Sequence, residues 1–417
     1  MEEKTENNNT NNNINNENKQ NESSSSFLSN VKKEKHLVIM QHGLHGTSLD
    51  FKTIRNHFLK QKDLDNCIFI SANSNSHFLA THDGIDKIGE RLCNEVKELY
   101  EQYNHPEKIS MIGHSLGGLI TRYAIGLLHN EGFFEKCKPD QFISLSSPHC
   151  GSRRPSTTIF NKVAHIFVDN FLSVTGKQLI LHDTEIPETI KTFPTSSPPP
   201  NEKLKSSQTI VNSSVKNETD LSLPLAEAKE PSIYKEVGNN EKLMIIEKKE
   251  ENEIVTNDQE VPMPLLVRLS EGIFFNGLKM FRKRVLYSNI YNDVQVNFCT
   301  SDISAKNPYT QGKLMKFSEK FRHIIEEESI LDIDPNLIEQ SPKKRQIDEK
   351  DIDEYFTHDT HHHFLKKILK NLNQLHFVRY HMYFKNILSH TNIIVKREWI
   401  NSEGYEIIEH LVSNFEG

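Results

Sequence analysis

Residues 111–118 read Met111-Ile112-Gly113-His114-Ser115-Leu116-Gly117-Gly118. Gly113, Ser115 and Gly117 form a Gly-x-Ser-x-Gly. Upstream, Lys108, Ile109, Ser110, Met111 and Ile112 have the composition of a short buried strand. Downstream, Leu116, Leu119, Ile120, Tyr123, Ala124 and Leu127 recur at helical spacing. In the order strand, tight turn, helix, this pentapeptide spells a nucleophile elbow. The serine sits on a strained turn, and a Cβ at Gly113 or Gly117 would collide with neighbouring backbone. The pattern predicts Ser115 as a nucleophile. Because three fixed positions in five recur by accident, the partners decide whether the prediction stands.

Working outward, His36, Leu37, Val38, Ile39 and Met40 form a second strand-like run, which ends in Gln41-His42-Gly43-Leu44-His45-Gly46. A strand running into a His-Gly turn is where a hydrolase of this kind keeps half of its oxyanion hole. Preorganised N–H groups there stabilise the negative oxygen of a tetrahedral intermediate. Gly43 lets the backbone approach closely. The expected donors are the N–H of Leu44 and the N–H of Leu116, the residue after the nucleophile.

In this chain order the acid follows a later strand and the histidine comes last. Arg284 to Ile290 is β-rich, and Asp293 lies in the turn after it, which makes it the candidate acid. Asp183 and Asp302 compete, but the first follows a helical pattern and the second lies well past the strand. The sequence holds 21 histidines, and position selects among them. Phe377 to Phe384 is rich in strand formers, and Glu403 to Phe415 has helical spacing. His390 lies between the two and is the candidate base. His376, His381 and His410 fall in or beside those elements and read as structural or surface residues. The cluster of His358, His361, His362 and His363 flanks a polar segment and lacks the rigid, converging frame of a metal site. Neither a metal nor a cofactor is called for by this chemistry.

The 417 residues are not all packed: only 35% are hydrophobic, and mean hydropathy is −0.60. Residues 1–34 are a low-complexity run of Asn, Glu, Ser, Thr and Lys, predicted to be a disordered tail. Polar, charge-rich stretches at about 185–262 and 311–363 read as insertions into a single domain over 35–417. Net charge is −7, which offers no basic field for nucleic acid. Five scattered cysteines without metal-ligand spacing fit a reducing compartment. The first thirty residues lack the apolar core of a signal peptide, so the expected location is cytoplasmic and the sequons at Asn212 and Asn217 carry no weight.

Assembled, these pieces resemble the eukaryotic serine esterase family of lipase-like α/β hydrolases. The resemblance rests on the His42–Gly46 turn, the Gly113–Gly118 elbow and the Thr81-His82-Asp83-Gly84-Ile85-Asp86 segment. It extends to Ser147-Pro148-His149-Cys150-Gly151-Ser152, Thr175-Gly176-Lys177-Gln178-Leu179, Arg284–Asn289 with Asp293, and Ser389-His390. It covers roughly 35–184, 263–310 and 364–415, so the three polar segments fall outside it. Gln374-Leu375-His376-Phe377 lacks the tryptophan expected before the last strand, and the insertion ahead of Pro262 is unusually long.

The resemblance implies an α/β-hydrolase fold, a mostly parallel sheet flanked by helices, and a lipid ester such as an acylglycerol or phospholipid as substrate. It also implies transient contact with a membrane or lipid-droplet surface. An apolar stripe over residues 156–172 could cap an acyl pocket or simply pack the core. Two alternatives accompany this reading: another acyl substrate, thioester or protein-linked, and a catalytically silent fold used as a scaffold. Oligomeric state is not legible.

Overall fold

Six strands form one wholly parallel sheet: β1 His36–Gln41, β2 Cys67–Ser71, β3 Lys108–His114, β4 Lys138–Leu145, β5 Lys283–Asn289 and β6 Val378–Met382, in the spatial order β2-β1-β3-β4-β5-β6. The computed structural model describes residues 33–77, 79–152, 173–183, 263–309, 315–325 and 362–417. The tail ahead of Lys33, the 185–262 stretch, the 156–172 stripe, His358 and His361 lie outside the described residues.

The helices run α1 Lys52–Phe58, α2 Ile85–Gln102, α3 Leu116–Asn130, α4 Val174–Leu179, α5 Leu265–Arg268, α6 Gly272–Met280, α7 Phe298–Ser301, α8 His362–Leu372, α9 Ser389–Asn392 and α10 Tyr405–Ser413. Among the described residues no helix is long and apolar enough to cross a membrane.

All six residues of β1 are buried, as a central parallel strand requires. The period of two sorts its side chains between two layers. Leu37 and Ile39 join a cluster with Ile88, Leu92 and Val96 of α2, Leu119 of α3, Phe274 of α6 and Ile368 of α8. Val38 and Met40 join a second cluster with Ile54 and Phe58 of α1 and Ile407, Ile408 and Leu411 of α10. This is the parallel central sheet flanked by helices that the sequence predicted. One detail differs: α3 buries every residue from Leu116 to Leu128, not a single stripe. It is enclosed by the sheet, α2 and α6, so no face meets water.

The 311–363 stretch is not uniformly outside the fold. Its described residues 315–325 place Phe321 and Ile324 in the second cluster, and Ile324 bridges Met382 of β6. Among residues 315–325 five are apolar, Met315, Phe317, Phe321, Ile324 and Ile325, and they supply the burial.

Strand order positions the site. The chain leaves β1 for β2 on one side and returns to β3 on the other, so the loops after β1 and β3 diverge around a crevice at the carboxyl edge. Ligands bind at such switch points in open α/β sheets. Gln41 pairs with Gly113 across the ladder, which sets the His42-Gly43 turn beside His114 and Ser115. Asn289 pairs with Met382, so the loops after β5 and β6 also emerge side by side.

Two of the family-like blocks serve this scaffold. The Gln178 side chain accepts a hydrogen bond from the Ile85 N–H at 2.6 Å and donates to Asp86 Oδ1 at 2.7 Å, while the Thr175 hydroxyl accepts from the Gly84 N–H at 3.0 Å. The Thr-Gly-x-Gln-Leu block therefore satisfies the open N–H groups at the start of α2.

Candidate active site

Ser115 stands between β3 and α3 with φ 56° and ψ −130°, a left-handed conformation for a residue with a Cβ. Such a conformation costs about 1–3 kcal/mol and persists only where the surroundings fix it. Here the Ser115 N–H donates to the Leu145 carbonyl at 2.9 Å, and its own carbonyl accepts from Gly118 N–H at 3.1 Å. A Cβ on Gly113 would lie 2.5 Å from both Cα and N of Gly118. One on Gly117 would run into the Gln41 carbonyl oxygen.

Gly113→Ala is therefore expected to destabilise the protein by about 1–3 kcal/mol or more. The measurement is a fall in the urea midpoint at constant slope. An unchanged midpoint would show that the elbow tolerates the methyl group.

Gly43 closes the site from the other side. A Cβ there would lie 2.7 Å from Ser115 Cβ and 3.1 Å from the Leu116 nitrogen, so the turn after β1 is packed directly on the elbow. The N–H groups of Leu44 and Leu116 donate to no hydrogen bond among the described residues. Leu116 opens α3, where the first N–H groups have no intrahelical partner and the helix dipole adds positive potential. The structure thus brings both predicted oxyanion donors to the serine.

Asp293 and His390 are also brought together. His390 Nδ1 lies 2.9 Å from Asp293 Oδ2. The carboxylate accepts four further hydrogen bonds: from Ser146 Oγ at 2.7 Å, Asn289 Nδ2 at 2.9 Å, Gln295 N–H at 3.0 Å and Val296 N–H at 2.8 Å. Burial pushes the Asp293 pKa up, but the His390 ring and these donors outweigh it and hold the group at about 2. The Nε2 of His390 is buried and has no hydrogen-bond partner among the described residues.

Ser115, His114, Gly43, Leu44 and His390 line one cavity of about 200 Å³, which is also lined by Gln295, Thr391 and the ion pair of Asp50 with Lys396 at 2.8 Å. With Nδ1 committed to Asp293, Nε2 is the nitrogen turned to chemistry. It can take a proton from a hydroxyl in this cavity and return it to a leaving group.

The competing residues are engaged elsewhere. Asp302, fully buried, accepts from His381 Nε2 at 2.9 Å, and the other ring nitrogen of His381 meets the Tyr309 hydroxyl at 2.6 Å. Asp183 accepts from the Leu265 N–H at 2.7 Å. His410 Nδ1 meets the Tyr287 hydroxyl at 2.9 Å. His362 and His363 open α8, and no group of three metal-ligating side chains occurs among the described residues.

Sequence reasoning missed Ser146, Asn289, Gln295 and Val296 as the cradle of Asp293. One signal pointed to two of them: Ser146 and Asn289 sit at the carboxyl ends of β4 and β5, the edge where such sites form. The Pro-His block is structural. His149 is fully buried, with Nε2 2.8 Å from Ser144 Oγ and Nδ1 3.4 Å from Arg122.

Against known proteins, residues 31–216 match the family described as "Putative serine esterase (DUF676)". The chain is 35% identical over 129 residues to "Putative lipase ROG1" of Saccharomyces cerevisiae, covering 30% of this chain and 18% of that protein. It is 28% identical over 138 residues to a second putative lipase, from Schizosaccharomyces pombe, covering 30% of this chain and 17% of that one. The match therefore spans about a fifth of the length of these relatives. Among solved structures, a Bacillus licheniformis lipase, BlEst2, is similar at 16% identity and a TM-score of 0.26, covering 36% of this chain and 56% of that one. The family match supports a hydrolase of the esterase or lipase type.

Proposed function

We propose that this chain, with the serine esterase family match over residues 31–216, is a serine hydrolase that cleaves carboxylic esters of lipids through an acyl-enzyme on Ser115. One observation carries the reading. A strained Ser115 and a buried, unpartnered His390 Nε2 share a cavity, while Nδ1 of the same ring is fixed on Asp293. An unsatisfied buried nitrogen costs about 1–3 kcal/mol, and the backbone strain adds a similar amount. Neither feature serves a silent scaffold, and both are what nucleophilic catalysis requires.

In this mechanism the Ser115 hydroxyl attacks the ester carbonyl and its proton passes to His390 Nε2. Asp293 stabilises the resulting imidazolium. The Leu44 and Leu116 N–H groups hold the tetrahedral oxyanion. As the intermediate collapses, the bond to the alkoxy oxygen breaks and His390 protonates the departing alcohol. Water, deprotonated in turn by His390, attacks the acyl-enzyme, and Ser115 leaves with its proton restored.

A lipid substrate is supported by the names of the yeast relatives and by exposed apolar side chains that lie close in sequence to cavity-lining residues. Leu49, Ile387, Leu388 and Trp399 are exposed by 74, 64, 39 and 81%. They adjoin Asp50 or lie within three residues of His390 and Lys396, which line the cavity. The five cysteines form no disulfide with one another, the state that a cytoplasmic setting maintains. The protein then visits a membrane or droplet surface from that side.

Comparing turnover of monoacylglycerol, phospholipid and acyl-thioester by the purified chain tests the substrate class, with the thioester expected to be the poorest. Preferred turnover of the thioester would replace the lipid ester reading. In liposome flotation, Trp399→Glu with Ile387→Glu is expected to lower partition by about tenfold or more. Unchanged flotation would remove these side chains as the contact.

A further inference from the structure

His114, the residue before the nucleophile, has no role in the mechanism above, yet it touches the candidate base twice. It is the last residue of β3, 5% exposed. Its ring centroid lies 4.8 Å from that of His390, and its Nε2 is 2.9 Å from the His390 carbonyl oxygen. A carbonyl can only accept, so Nε2 of His114 carries the proton. Burial, and next the neighbouring His390, push the His114 pKa well below its usual 6.5. The ring stays neutral, so it adds no positive charge to oppose the imidazolium that His390 must become.

The His390 carbonyl needs this donor. In a continuing helix it would accept from the N–H of residue 394, but α9 ends at Asn392. An acceptor left unpaired in a buried turn is costly. The side chain that supplies the hydrogen bond comes from the strand bearing Ser115, and the contact spans 276 positions of sequence.

Resting on the proposed triad, we infer that His114 is a positioning residue: it fastens the α9 turn to the nucleophile strand and so sets the distance between His390 and Ser115. Asp293 holds the ring of His390 at a single nitrogen, and rotation about that contact would still swing Nε2 toward or away from the serine. The bond to the backbone carbonyl fixes the main chain from which the ring hangs and so narrows this freedom. Proton transfer needs a heavy-atom separation of about 2.6–3.2 Å, and a misplacement of about 1 Å lowers the rate by about a hundredfold.

The test compares His114→Gln, which keeps an N–H donor at similar reach, with His114→Met, which has nearly the same shape and no donor. Both are assayed in the full chain for kcat and KM on a p-nitrophenyl ester, for the rate of fluorophosphonate labelling, and for Tm. The Met variant is expected to lose about 10–100-fold in kcat and labelling rate, with KM within about twofold of the parent. The Gln variant is expected to recover most of the loss. Equal impairment of the two variants, a loss confined to KM, or a Met variant with parental kcat would overturn the assignment. Ser115→Ala serves as the control that separates the two levels. If parental labelling does not require Ser115, the triad reading fails and this inference falls with it. If labelling requires Ser115 but is indifferent to the donor at position 114, only the inference falls.

Discussion

Ser115→Ala is expected to abolish covalent labelling by a fluorophosphonate probe and to lower ester turnover by about 10⁴–10⁶-fold, the range seen when the nucleophile of a serine hydrolase is removed. Folding should be nearly unaffected. The Ser115 hydroxyl makes no hydrogen bond among the described residues, and alanine carries the same Cβ into the same strained turn. The urea midpoint of the variant should therefore match the parent while activity vanishes. Labelling that persists at parental stoichiometry would assign the nucleophile to another residue. Residual turnover of about 10³-fold over water is compatible with the reading, because the oxyanion donors and the binding cavity remain.

Asp293→Asn is expected to cost about 10⁴-fold in kcat with the fold retained. The amide can present its NH₂ to His390 Nδ1, which moves the ring proton to Nε2 and leaves no lone pair to receive the serine proton. The substitution also has a pH signature in stability. A carboxyl held at about 2, below the usual 3.8, contributes about 2 kcal/mol. Because the folded-state pKa is the lower one, that contribution is complete above pH 4 and is lost as the pH falls through 2. The stability gap between parent and Asp293→Asn should therefore be constant from pH 7 to about 4 and narrow below it. A gap that closes between pH 7 and 5 would mean that Asp293 is not held in its ionised form. By the same reasoning, any loss of activity between pH 7 and 4 arises elsewhere than at this carboxylate.

The features legible in the sequence are those that local chemistry dictates. Gly113 and Gly117 had to lack a Cβ, and the apolar runs around them had to be a strand and a helix. Asp293 and His390 were reachable because their places in the chain order, after a strand and before the last helix, are set by topology. The supports of those residues were not legible. The Ser146–Asp293 and His114–His390 contacts join positions 147 and 276 residues apart, and no periodicity records such a pairing. Asp302 shows the same limit from the other side. Its distance past the strand only ranks it below Asp293; what engages it is His381, delivered by β6, which the sequence does not record. The residues 315–325 were read by average composition, which hid the few apolar side chains that carry them into the core.

The pairings Gln41 to Gly113 and Asn289 to Met382 make the distances within the site a property of the ladder. The lengths of chain between Leu145 and Lys283, and between Asn289 and Val378, do not enter into them. Closing a loop grows harder only with the logarithm of its length, about 0.6 kcal/mol for each doubling. Outside Ser146 and Asp293–Val296, which bear or cradle the candidate acid, those two connections can therefore be lengthened or shortened in evolution while Asp293 and His390 stay in place. The geometry of the candidate site can then be held constant while the length of the chain that joins its parts drifts.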